Sequence, residues 1–176
     1  MAEAVSLAYN LSVKATHTLP LSLETAFLAS DPSIALEIIN GTTYNIAGTL
    51  NASSSAPATK VIVDEITLSS GAATIDLTSL TGFAATSVTM SGLKVQAIIL
   101  STASTNTHAV TFVEGASNGY EMLGNAFSIT MGASGKSATA AFILNEGAPD
   151  VSASAKTIDV SSTHQTAKFA LLVVCG

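Results

Sequence analysis

Hydrophobic and polar residues alternate with a period of two along nearly the whole chain, and that period predicts strands. In VSLAYNLSVKAT, Val5, Leu7, Tyr9, Leu11 and Val13 fall on one face, with Ser6, Asn10, Ser12 and Lys14 on the other. Successive strand side chains point to opposite faces, so such a segment offers one face to a core and one to water. Asn40-Gly41, after LEII, is a tight-turn signal, and TYNIAGTL resumes extended structure. The small polar stretch NASSSAPAT, with Pro57 inside it, reads as a linker or long loop.

From Lys60 the strand signals crowd together: KVIVDEITL, ATIDLTSL, GLKVQAIIL, AVTFVEG, AFSITMG, TAAFILNEG, TIDV and AKFALLVV. Each is short and bounded by Gly, Asn, Ser or Pro-Asp turns. That spacing predicts an all-β fold, an antiparallel β-sandwich of jelly-roll-like form with little or no helix. Residues 59–176 would form its core. Residues 1–58 would supply N-terminal strands, able to act as an arm that swaps onto a neighbour, within one structural domain overall. The best helix candidates are SLETAFLA, started by Ser22, and SIALEII, started by Asp31-Pro32-Ser33; each could equally be a strand. ATIDLTSL and KTIDVSST share a Thr-Ile-Asp core, which suggests two equivalent edge strands of one fold.

Composition supports the β reading. Charged residues are 10% of the 176, against roughly 25% in an average soluble protein, while hydrophobic residues reach 48%. Serine and threonine, about a quarter of the chain, supply the surface polarity, and threonine, valine and isoleucine favour extended backbone. A net charge of −6 with only six Lys and Arg lacks the basic footprint of nucleic-acid binding. Cys175 is the single cysteine, so neither an internal disulfide nor a CxxC metal site is available. The start shows no basic segment leading into an apolar run, and KVQAIIL and KFALLVV are far shorter than the roughly 20 residues that span a bilayer. Synthesis in the cytoplasm, without a membrane partner, is the expectation.

Candidate chemistry is sparse. Gly135-Lys136-Ser137 resembles the end of a phosphate-binding loop, but the glycine required five positions earlier is Thr130. The segment after it, SATAAFILNE, reads as a strand where that loop needs a helix, so GASGKS is expected to be a hairpin turn. His17, His108 and His164 each lie among Ser, Thr and Ala, without a second histidine or carboxylate at ligand spacing. Asp64 and Glu65 are adjacent, hence on opposite faces of a strand. Glu114, Glu121, Glu146 and Asp150 lie in loop-like segments without a calcium-loop pattern. No catalytic residue, cofactor or metal is expected.

The segment 113–127, VEGASNGYEMLGNAF, is the most distinctive loop. Asn118, Tyr120, Glu121 and Asn125 could form a contact surface, with the tyrosine stacking on a ligand such as a sugar. The same residues suit a compact glycine-bearing turn in which Tyr120 anchors the loop to the core.

From Ala72 onward the chain resembles small structural proteins of tailed bacteriophages. The resemblance is carried by ATIDLTSLTG, by GLKVQAIILSTASTNTHAVTFVEGASNGYEMLGNAFSITMGASGK and by GAPDVSASAKTIDVSSTHQTAKFALLVV, roughly the last 100 residues. It implies a virion component on the capsid surface, a head decoration or cement protein lying between major capsid protein subunits. It also implies self-association, as a trimer. A tail tube or fibre subunit is the neighbouring reading, and a carbohydrate-binding or adhesin module is the reading from another class.

Overall fold

The computed structural model describes residues 6–14, 43–51, 57–81, 87–144 and 147–176. The chain divides into two compact units, Ala8–Thr49 on one side and Met1–Leu7 with Leu50–Gly176 on the other. Both N-terminal alternating segments are strands, β1 (Ser6–Lys14) and β2 (Thr43–Asn51), paired in a two-stranded sheet. Asn40-Gly41 and both helix candidates lie outside the described residues, as do His17 and Glu146.

Every strand expected from Lys60 onward is present: β3 (Lys60–Thr67), β4 (Ala72–Asp76), β7 (Val95–Thr102), β8 (Val110–Glu114), β9 (Ser128–Met131), β10 (Ala138–Ile143), β11 (Thr157–Ser161) and β12 (Lys168–Cys175). Between β4 and β7 a small two-stranded sheet, β5 (Leu80–Thr81) and β6 (Ser87–Val88), is added. The eight strands expected from Lys60 onward form two antiparallel sheets, ordered β10-β7-β12-β3 and β4-β11-β8-β9. Among the described residues there is no helix.

This order is that of a jelly roll. β8 pairs with β9, β7 with β10, β4 with β11 and β3 with β12, so the chain is a nest of hairpins centred on the loop after β8. The pairs β7–β12 and β8–β11 then stitch the nested hairpins into two sheets. Wrapping the nest about itself brings two apolar faces together, the solution open to strands with one buried face.

The shared core draws Ile62, Ile98, Leu100, Phe169 and Leu171 from the first sheet and Ile75, Val110, Phe112, Ile158 and Val160 from the second. Phe112 and Phe169 meet across it edge to face, with ring centroids 5.1 Å apart and planes at 89°. β7 departs from alternation at its start, where VQAI is buried throughout.

The two Thr-Ile-Asp segments are not equivalent edges. β4 is an edge, β11 is interior, and they are direct neighbours in the register Thr157↔Asp76, Ile158↔Ile75 and Asp159↔Thr74. Run antiparallel about its central isoleucine, the motif sets each threonine opposite an aspartate. Thr74 donates its hydroxyl to Asp159 Oδ1 at 2.7 Å. Asp76 instead accepts from the backbone and hydroxyl of Thr78 and from Lys156 at 2.7 Å. Partial burial raises its pKa, but Lys156 and Thr78 outweigh that and hold the carboxyl below its usual range.

Candidate functional site

The loop after β8 is built against β11. Gly115 N and Tyr120 N both donate to Thr157 O, at 3.0 and 2.9 Å, while Asn118 O accepts from the backbone N–H groups of Lys156 and Thr157. Thr157 Oγ1 closes the turn by donating to Ser117 O at 2.5 Å. Gly115 lies so close to Thr157, and Gly119 to Glu114 and Gly115 O, that neither position has room for a Cβ. Asn118 adopts φ 56°, a left-handed conformation that asparagine tolerates better than most residues.

Of the four residues expected to make contacts, Tyr120 is wholly buried. Its hydroxyl donates to Pro149 O at 2.7 Å and accepts from Val95 N–H at 3.2 Å. Burial pushes its pKa up to about 12, since the phenolate would have to sit in the apolar interior. The ring thus anchors the loop, β7 and the segment before Val151 to one another. Its phenol is spent inside the protein.

Asn118, Glu121 and Asn125 remain exposed. Asn118 and Glu121 border an open cleft of about 470 Å³, together with Glu114, Pro149 and Ser154. Asn125 is not among the cleft's lining residues. Sequence spacing could not have joined Pro149 and Ser154 to this loop, because they arrive from the turn region before β11. The cleft has polar walls and carboxylates. Among the described residues, no group of three or more His, Cys, Asp or Glu is arranged to hold a metal ion.

The remaining sequence candidates have local structural partners. Lys136 N donates to Ala133 O and Gly135 N to Asn106 O, at 2.9 Å each, so 133–136 is a tight turn with Gly135 at φ 69°. Ala133 and Lys136 pair as an antiparallel bridge, so this is the expected hairpin turn in its smallest form, although β9 and β10, which it joins, belong to different sheets. β10 is the strand that replaces the helix of a phosphate-binding loop. His164 Nδ1 accepts from Thr107 N–H at 3.3 Å, tying two loops together, while His108 is exposed beside Thr107. Asp64 is half-buried and Glu65 exposed, as adjacent strand residues must be, and Glu65 lies 3.5 Å from Lys168.

Periodicity predicted an outward face for each strand but not what the four faces make together. On the sheet β10-β7-β12-β3, pairing brings Ala141, Ile99, Leu172 and Val63 into one row across all four strands on the side away from the core. The next row is Thr139, Ser101, Ala170 and Glu65. Val63 is 41% exposed and Val61, further along β3, 39% exposed. Ala141 is exposed, Ile99 and Leu172 are half-buried, and Ala97 and Val174, on the same face, are buried, while Glu65 and Lys168 bring charge to its other end.

No protein-family model matches the chain, and neither a curated protein nor a solved structure does.

Proposed function

We propose that the chain is a structural protein of a bacteriophage virion, a head decoration or cement protein that binds between major capsid subunits. The observation that carries this reading is the outer face of the β10-β7-β12-β3 sheet, where Ala141, Ile99, Leu172 and Val63 run as an apolar row over four strands. The apolar side chains left open on this face, Val61, Val63 and Ala141 among them, gain from being covered, as contacts repeated by symmetry would do. The resemblance of the last 100 residues to phage structural proteins supports the same reading. Jelly rolls occur in viral capsid and lectin domains alike, so the fold supports an assembly role without choosing it. Against a sugar-binding role, Tyr120 has no free ring to stack on a glycan.

The role is mechanical. Each contact of standard size buries on the order of 1,600 Å², and all the contacts around a subunit must break before the shell opens there. No reacting group is required.

The test is addition of the purified protein to empty, undecorated heads of the phage that encodes it, with bound copies counted by sedimentation and electron microscopy. Saturable binding at regular positions is expected, together with heads that open at higher temperature. Ala141→Glu, which sets a charge on the exposed apolar row, should abolish binding without unfolding the sandwich. Failure to bind heads, with rings or open-ended growth of the protein alone, would transfer the role to the tail.

A further inference from the structure

We propose that two copies of this chain pair along β3, edge to edge and antiparallel about a twofold axis at Ile62, so that their four-stranded sheets become one continuous sheet. This contact does not depend on the virion role. It is twofold, and so gives a dimer in place of the trimer implied by the resemblance.

β3 is an edge of its sheet and, at 8 residues, the longest of the four edge strands of the two four-stranded sheets; β10 has 6, β4 has 5 and β9 has 4. Its register with β12 runs without a break from Lys60 to Thr67, and its sequence, KVIVDEIT, contains neither proline nor glycine. Bulges, prolines and shortness are the usual means of blunting an exposed edge. β3 uses none of these three, but it carries Lys60, Asp64 and Glu65, and charges also blunt an edge, so a partner strand has to match them.

The direction of its backbone groups follows from the ladder. Leu68 N donates to Ala167 O at 2.8 Å, continuing the β3–β12 pairing, while Lys168 O turns the other way to accept from Ala103 N at 3.1 Å. In an antiparallel pair, hydrogen-bonded and non-bonded positions alternate. The even-numbered residues of β3 therefore bond to β12, and Val61, Val63, Glu65 and Thr67 direct their N–H and C=O groups outward.

A twofold pairing must set residues of the same face opposite one another, which restricts the axis to a residue position. With the axis at Ile62, Val61 meets Val63 of the second copy and Lys60 meets Asp64 of the second copy, each twice. The valine pairs exchange the outward backbone hydrogen bonds and join four exposed apolar side chains on the outer face. The Lys60–Asp64 pairs fall at non-bonded positions, where Cα atoms approach to about 4.5 Å. The neighbouring registers lose this match. An axis at Val61 sets Lys60 against Ile62, one at Val63 sets Val61 against Glu65, and one at Asp64 sets that aspartate against itself.

Two further observations fit this occupant. The chain carries net charge −6, so copies repel at long range and a stable contact needs local charge complementarity of this kind. Beside the start of β3 an open cleft of about 350 Å³ is bordered by Lys60, Val61, Ser87 and Thr89. Lys60 Nζ donates there to Thr89 O at 2.6 Å.

Sedimentation velocity over a concentration series, at low and high salt, tests the pairing. The parent is expected to be a dimer that weakens with salt. Asp64→Lys alone and Lys60→Asp alone should each raise the dissociation constant by about ten- to a hundredfold, and the double exchange should restore it. Val63→Pro removes one outward N–H and leaves the bonds to β12 intact, so it should give a folded monomer. A parent that is monomeric at every concentration would overturn the proposal, as would a dimer or trimer indifferent to Val63→Pro. Single reversals that are not rescued by the double exchange would overturn the register.

Discussion

Phe112 and Phe169 pack edge to face with ring centroids 5.1 Å apart, one ring from each sheet, and so form a direct contact between the two halves of the sandwich. Both are essentially buried, and each also belongs to the common core. Replacing either with alanine should destabilise the sandwich by about 3–5 kcal/mol, from lost transfer energy and the cavity left behind. A double-mutant cycle followed by urea unfolding should return a coupling of about 0.5–1.5 kcal/mol. Strict additivity would mean that the rings do not interact.

Tyr120 is the second point where distant segments are tied together. Tyr120→Phe keeps the ring but leaves Val95 N–H and Pro149 C=O without their shared partner. A buried polar group stripped of its partner costs about 1–3 kcal/mol. The variant should unfold at lower denaturant, and amide exchange at Val95 should accelerate more than exchange in β11. An unchanged midpoint would show that water replaces the hydroxyl.

Alkaline pH should weaken the sandwich through two buried acids. Burial pushes the Cys175 thiol from 9.0 up to about 12 and the Tyr120 phenol from 10.0 up to about 12. In both cases the folded state holds its proton longer than the unfolded state. Their contribution is therefore complete below pH 9 and is lost as pH rises through 9 for the thiol, through 10 for the phenol, and on towards 12. Denaturant midpoints measured from pH 7 to 11 should stay level and then fall, and the fall should be smaller in Cys175→Val and in Tyr120→Phe. The same burial predicts that a thiol reagent labels Cys175 only as the protein opens.

The alternation of apolar and polar residues by itself determined that the described part of the chain is made of strands, and where the larger ones lie. That signal is local, because each strand's burial pattern is written in its own residues, as KVIVDEIT shows. The turn chemistry around Gly135 was local as well. What pairs with what was not legible, because pairing is a relation between segments far apart in the chain, as in Thr59 N–H bonding to Cys175 O across 116 residues. Only the tertiary structure decided that the two Thr-Ile-Asp segments are neighbours, that 133–136 joins different sheets, and that Tyr120 belongs to the core. In the loop 113–127 the sequence left a tyrosine with two possible directions. The backbone of Thr157, holding Gly115 and Tyr120 at once, turns it inward, and the phenol finds both of its hydrogen bonds there.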